Sequence, residues 1–374
     1  MRLLIVDKTA GLLSAHERHQ ALAPLSGLEL HVFGPQRWIE NDREVFWEAR
    51  GDERYVRHAG SVLFAGHYGR HFYYRKLFRV LRDVRPDVVH LLEEPWSLAA
   101  GQISLLQPTA GGFALIFYTW ENVYRPWTYP SRLSRVYARI DRHVHRVSLG
   151  ALCATQAAQE VLHRKGYRQA TAVVPYGVRG EFFSERPAVR QADQPFTVGY
   201  IGRLLWMKGV DLLVHATARL AEAQLVLIGS GPDERTLRHL ASDLQFENRV
   251  RIQPAVTEKD IVPWLASFDV LVLPSRTTPG WREQLGRVLI EAMALGVPAV
   301  GSSSGAIPEV LGREDLVFSE GNVNELVAIL ERVRTDESWR REICDYGRRR
   351  ARERFSWGAF ASAVGDFYRQ LGLL

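Results

Sequence analysis

The chain has 374 residues, 46% of them hydrophobic and 24% charged, which excludes intrinsic disorder and implies two domains. Its net charge of +6 is uneven: residues 1–190 carry 26 Lys and Arg against 18 Asp and Glu, the remainder 22 against 24, so the first half favours an anionic partner. Only Cys153 and Cys344 are available for a disulfide or a thiolate metal site, and they fall in different halves; no apolar run reaches about 18 residues, and M-R-L-L-I-V-D lacks the core of a signal peptide, so a cytoplasmic location is expected.

The first element is a strand, Leu3 to Val6, apolar throughout as a strand covered on both faces requires. Further β-rich runs follow at Leu28–Phe33, Val88–Leu92, Ala114–Tyr118 and Ala172–Val174, with helical patterns between them at Arg70–Arg82 and Ser131–Gly150. Strands alternating with helices imply a parallel sheet with helices on both faces. The turn-rich Val174–Val178 and the polar stretch Phe182–Gln194 mark a linker. The pattern then restarts. Strands are expected at Phe196–Ile201, Leu225–Ile228, Val250–Ile252, Val270–Leu273 and Ala299–Gly301. Helices are expected at Gly209–Ala221, Asp233–Leu244, Glu258–Ser267, Leu285–Leu295 and Asn324–Arg334. The fold class is α/β, with two Rossmann-like doubly wound units and a cleft between them where strand ends meet ligands.

The chemistry concentrates after the strands of the second unit. Glu283 lies in a loop before a helix and Glu291 about two helical turns on, flanking a helix N-terminus suited to phosphate. The plain alternative is that both are solvated helix acids. Arg203 and Lys208, in G-R-L-L-W-M-K-G-V-D, stand just beyond a strand end and can clamp a diphosphate. Gly229-Ser230-Gly231-Pro232 and Ser302-Ser303-Ser304-Gly305 follow two further strands. Each loop singly reads as an ordinary turn; four such features at successive strand ends of one sheet read as a site.

These strings resemble the donor domain of the retaining family 4 glycosyltransferases, which have the GT-B fold. The matching stretches are Y-I-G-R-L-L-W-M-K-G-V-D, L-V-L-I-G-S-G-P, V-L-V-L-P-S, the E-x7-E core with A-M-A-L-G-V-P-A-V-G-S, and G-A-I-P-E-V-L at Gly305–Leu311. The likeness covers residues 173–312 closely and the first half by architecture. It implies an N-terminal acceptor-side domain over 1–175, a nucleotide-sugar domain over 176–355, and a last helix over 356–374 crossing back to the first domain. It also implies roles: Arg203 and Lys208 on the donor diphosphate, Glu291 on the ribose, Glu283 on the sugar, and the amides of Gln284, Leu285 and Gly286 on sugar and phosphate. The base would lie near Gly231 and Ala255, where relatives usually carry a glycine in the second loop.

The first half departs from that pattern. Where relatives have a Gly-Gly loop, this chain has Asp7-Lys8-Thr9-Ala10-Gly11-Leu12, with Gly11 as the point of close approach. Where relatives often have a histidine, it has Trp120-Glu121-Asn122. Glu121 either stabilises developing positive charge or caps a turn or pairs with Arg125. His90 reads as a packed strand residue and Glu94 as a border of the acceptor site. No Asp-x-Asp or P-loop motif occurs, so no metal and no cofactor are expected beyond a UDP- or GDP-sugar as substrate.

The expected activity is therefore metal-independent transfer of a sugar, with retention, to a glycan, lipid-linked or small-molecule acceptor. The alternatives are a sugar-nucleotide epimerase and a degenerate relative that binds a nucleotide sugar or glycan without transfer. A nucleic-acid partner is excluded for want of a binding module. His67–Arg85 interleaves aromatic and basic residues, with Phe72, Leu77, Phe78 and Leu81 available for one helical face. Arg135, Arg139, Arg142 and Arg146 share a face of a second helix. Together they suggest docking on an anionic membrane surface, against the plain alternative of core residues and a solvated face.

Overall fold

Strand β1 (Arg2–Val6) is buried on both faces: Leu4 and Val6 enter one apolar cluster, Leu3 and Ile5 another. The computed structural model describes residues 1–40, 43–109, 111–124, 134–184, 194–257 and 260–374, and of Arg75 the backbone only. The chain forms two units, the first of Met1–Gly177 with Trp357–Leu374, the second of Val178–Ser356.

After β1 the first unit continues with α1 (Leu13–Leu22), β2 (Glu29–Pro35), the hairpin β3 (Arg37–Glu40) and β4 (Arg43–Phe46), β5 (Val56–Leu63), β6 (Phe72–Arg75) and α2 (Leu77–Val84). Then come β7 (Val88–Leu91), α3 (Leu98–Leu106), β8 (Ala114–Thr119), α4 (Ser134–Val147), β9 (Gly150–Cys153), α5 (Gln156–Arg164) and β10 (Ala170–Val173). The sheet order is β10-β9-β8-β7-β1-β2-β5-β6, parallel except for the last pair. The order reverses between β1 and β7.

In the second unit, β11 (Phe196–Ile201), α6 (Val210–Ala218), β12 (Ala223–Ile228), α7 (Glu234–Asp243), β13 (Val250–Gln253), α8 (Ile261–Ala266) and β14 (Val270–Leu273) alternate. They lead to α9 (Arg287–Leu295), β15 (Ala299–Ser302), α10 (Ile307–Leu311), β16 (Val317–Phe318), α11 (Val323–Thr335) and α12 (Glu337–Phe355). The order β13-β12-β11-β14-β15-β16 is wholly parallel and reverses between β11 and β14. A final helix, α13 (Trp357–Gln370), returns to the first unit. There Phe360, Val364, Phe367 and Tyr368 join Leu3, Ile5 and Leu30 in one core. The crossing near Ser356-Trp357 is thus where expected, and Phe367 packs on Gly150 of β9.

Three expectations need correction. Arg70–Arg82 is not one helix: Phe72–Arg75 is an edge strand paired with Val56–Leu63, and the helix starts only at Leu77. The aromatic run F-Y-Y prefers a pleated surface, with Tyr73 buried and Tyr74 outside. The proposed apolar face is therefore split. Leu77 and Leu81 are buried core while Phe78 is half exposed. The helix expected to reach Gly150 stops at Val147, because Gly150 begins a buried strand; its expected first residues, 131–133, and Arg125 lie outside the described residues, as does most of the Phe182–Gln194 linker. On α4, Arg135, Arg139, Arg142 and Arg146 are all exposed.

Candidate active site

Ligands of doubly wound sheets bind beyond the carboxyl ends of the strands where the order reverses. In the second unit this point lies between β11 and β14. The loops that follow them are pressed together. Gly209 has φ 67°, and a Cβ there would stand 2.0 Å from the Pro274 carbonyl oxygen. Arg276 fastens the same loops, with both guanidinium nitrogens on the Asp211 carboxylate at 2.6 Å and its backbone N–H on Met207 O at 2.8 Å. These contacts bring Lys208 to Glu283: the ammonium donates to Glu283 Oε2 at 2.7 Å. Ser275 Oγ donates to the same oxygen at 2.8 Å, and the lysine lies 4.6 Å from the Trp281 ring centroid. The Glu283 backbone is pinned from behind, since Gly305 (φ 56°) leaves room where a Cβ would meet Glu283 O at 2.1 Å.

Helix α9 starts immediately after this loop. Gly286 occupies its N-cap with φ 71° and itself brings no side chain to the positive end of the dipole. Leu285 is buried and Gln284 exposed. Glu291, one turn in, is 4% exposed, and Arg287 donates to its Oε1 from Nε and Nη2 at 3.2 Å. Arg203 is exposed on the β11 loop, with its carbonyl held by Tyr200 OH at 2.8 Å. Gly231 packs its backbone on Leu204 O, and Ala255 N donates to Ser230 Oγ at 3.4 Å. Lys208, Glu283, the α9 N-terminus and Glu291 thus share one end of one sheet. A cation, a helix dipole and two buried carboxylates there suit a ligand with both phosphates and hydroxyls.

Glu121 and Gly11 belong to the first unit. A Cβ on Gly11 would meet Val45 Cγ1 at 2.9 Å, so its close approach is to β4 of its own unit. Glu121 pairs with Lys165, which also contacts Asp141 Oδ2 at 3.2 Å. Beside it, Glu94 accepts from Trp120 N at 2.7 Å and Thr119 Oγ1 at 2.8 Å. Burial, then the charge of Glu121, pushes the Glu94 carboxyl up to about 7. His90 is a packed strand residue. Its Nδ1 meets Tyr368 OH at 2.7 Å, and burial, with Arg18 and His19 nearby, lowers it to about 3.

Two groups of residues had no sequence signal beyond position. Lys8, two residues past the end of β1, donates to Glu93 Oε2 at 3.0 Å, and His71 holds the other oxygen at 3.1 Å. Asp7 receives Arg18 and His19, both buried on α1. Burial alone would raise Asp7; Arg18 and His19 overcome it and hold the carboxyl far below its ordinary value. Buried charged residues on a helix read from sequence as a solvated face, which hid this pair.

Residues 182–350 match the family model of group 1 glycosyl transferases. Among curated proteins, the chain is 33% identical over 216 residues to the MMP alpha-(1->4)-mannosyltransferase of Mycolicibacterium hassiacum, covering 53% of this chain and 48% of that one. It is 27% identical over 359 residues to a GDP-mannose-dependent alpha-(1-6)-phosphatidylinositol monomannoside mannosyltransferase of Mycobacterium tuberculosis, covering 90% and 89%. The chain thus spans about half the length of the first relative and most of the second. Among solved structures, the sucrose-phosphate synthase of Thermosynechococcus elongatus aligns with a TM-score of 0.71 at 20% identity, covering 100% and 99% of the two chains. Anabaena HepE in complex with UDP aligns at 0.71 with 17% identity, covering 99% and 100%. The fold is GT-B, and residues 182–350 are similar to the group 1 glycosyl transferases.

Proposed function

We propose that the chain moves a sugar from a nucleotide-sugar donor to a glycan, lipid-linked or small-molecule acceptor, with retention of configuration and without a metal. The observation that carries this is the Lys208–Glu283 pair beside the N-terminus of α9, whose N-cap is a glycine. Lys208, Arg203 and the helix dipole would neutralise the departing diphosphate, the task a metal performs in other transferases. Glu283 would hold hydroxyls of the donor sugar, Glu291 the ribose, and the amides after Glu283 the phosphates. Gly231 and Ala255 would border the base. Retention follows if the leaving phosphate oxygen takes the acceptor proton as the new glycosidic bond forms on the same face; the protein positions the partners and stabilises charge. Glu121 or Glu94 would line the acceptor side of the reaction. The relatives named for GDP-mannose and the neighbour holding UDP make guanosine and uridine donors the first to test.

The membrane reading moves from a helix to a sheet edge. Phe64, Tyr74 and Phe78 are 57%, 47% and 50% exposed near the β5–β6 edge, with exposed Arg79 and Arg82 on the adjoining helix. Such a surface suits an anionic leaflet on the cytoplasmic side, each basic group contributing about 1 kcal/mol when close. Among the described residues no helix is long and apolar enough to cross a membrane.

The test is a thermal-shift panel of GDP-, UDP-, ADP- and TDP-sugars, run with and without EDTA, followed by transfer assays with the stabilising donor. A raised melting point and an α-configured product from an α-donor, both unchanged by EDTA, are expected. Absence of any donor response would overturn the donor site. An inverted product would overturn retention, and loss with EDTA would overturn metal independence.

A further inference from the structure

Helix α9 begins with a cation. Arg287 is its first residue, directly after the glycine N-cap. A positive side chain there opposes the helix dipole, which favours acids at that end, and no acid occupies the first turn. Its partner on the helix is Glu291, and an arginine four residues before a glutamate is the weaker order for such a pair. The geometry is loose as well. Nε and Nη2 both reach the single oxygen Oε1, at 3.2 Å each, whereas Arg276 grips the two oxygens of Asp211 separately at 2.6 Å. The Arg287 side chain is 43% exposed and that of Glu291 is buried, so the arginine is the member able to move.

We propose that Arg287 couples recognition of the two halves of a nucleoside diphosphate: in the empty protein it masks the carboxylate that the ribose would use, and on binding it swings to the phosphates and releases that carboxylate. The proposal rests on the donor site proposed above and adds to it a positioning residue and an order of events. Two N–H donors fill the two lone-pair positions of Glu291 Oε1. While they stay, that oxygen has no place for a ribose hydroxyl. Phosphates at the start of α9 would meet its first amides, which include the N–H of Arg287 itself. They would offer the guanidinium fork two charged oxygens where Glu291 gives it one, and the same anion would satisfy the helix dipole. A nucleoside without phosphates draws nothing away and must compete with the arginine for Oε1. The arrangement therefore favours the diphosphate over the free nucleoside by more than the phosphate contacts alone.

Isothermal titration calorimetry on the full chain tests this. GDP, UDP, ADP and TDP are each titrated, and the nucleoside of the one that binds is measured by competition against it. Arg287→Met should weaken the diphosphate about tenfold, through loss of a charge-assisted bond. The same substitution should tighten the nucleoside about threefold or more, because Glu291 no longer has to exchange partners. In a Glu291→Gln background, where no carboxylate is masked, Arg287→Met should bring the nucleoside no gain. The melting point of Arg287→Met should hold or rise, since a cation leaves the helix N-terminus. If that variant does not fold, Arg287→Gln decides. Absence of any gain in nucleoside affinity would overturn the coupling and leave the donor site standing. A lowered melting point with both ligands weakened would show a merely structural arginine and overturn it too. Binding of none of the four diphosphates to wild type would overturn the donor site, and the coupling with it.

Discussion

The two switch points hold a lysine and a glutamate in nearly the same geometry, yet they differ in depth. Lys208 and Glu283 are 19% and 9% exposed at the side chain, Lys8 and Glu93 12% and 0%. The second unit's pair is steadied by one hydroxyl, Ser275, whereas the first unit's carboxylate is enclosed by a lysine and a histidine. A shallow pair can exchange partners with a ligand; a deep one chiefly sets the direction of its outer member. One topological position thus holds a more open pair in one unit and an enclosed pair in the other.

The two glutamates should differ most in what their removal does. Glu93→Ala leaves a buried lysine without its counter-charge, and a loss on the order of 3–5 kcal/mol is expected in chemical unfolding of the first unit. Glu283→Ala should cost far less stability but lower turnover on the order of a hundredfold, with nucleoside diphosphate affinity nearly unchanged. Equal stability losses in the two variants would show that depth does not matter.

Next comes pH. Glu94 is raised to about 7 in the folded state from an ordinary 4.5. Between these values the folded state binds the extra proton, so this group's contribution is complete below 4.5 and lost as pH rises toward 7. Glu94→Gln should remove that slope and stabilise the protein by about 2 kcal/mol at pH 8. Asp7 and His90 act oppositely: both are lowered on folding, so their contributions fade on acidification. Thermal melts of wild type and Glu94→Gln from pH 4 to 8 check both signs.

Two smaller effects sharpen the picture within the second unit. Glu291→Ala should weaken nucleotide binding about tenfold by calorimetry with modest change in turnover, because a buried hydroxyl pair loses its acceptor. Ser275→Ala removes one hydrogen bond to Glu283, worth about 1 kcal/mol, and should lower turnover a few-fold, with Ser275→Thr restoring it.

The second unit was the more legible because its strands are pure. Val270–Leu273 falls where V-L-V-L alone demands, and Phe196–Ile201 and the start of Val250–Gln253 also match. Its candidate residues could be picked out for the same reason: Lys208 and Glu283, which the fold brings together, each lie in a loop that follows such a strand. The first unit mixes periods. Around Phe72–Leu81 an alternating strand runs into a helix through Lys76, at φ 67°, and apolar residues of both fit one helical wheel. Its polar pairs join residues far apart in sequence: Glu121 with Lys165, His90 with Tyr368, Lys8 with Glu93. No local spacing encodes such contacts; only the sheet order brings them together.

Arg18 offers one further lesson. Its guanidinium, tied to Asp7, lies 4.6 Å from the ring of Tyr176 and 5.7 Å from that of Trp357, just before the chain leaves the first unit and just after it returns. During synthesis, therefore, the second unit is contiguous and can close as soon as it emerges. The first must wait, its sheet made but its arginine half covered and the seat of Phe360, Val364 and Phe367 open, until the last helix is translated. The ribosome finishes the first-made half last, and a nascent chain stalled before residue 357 would expose that apolar seat to chaperones rather than to its own helix.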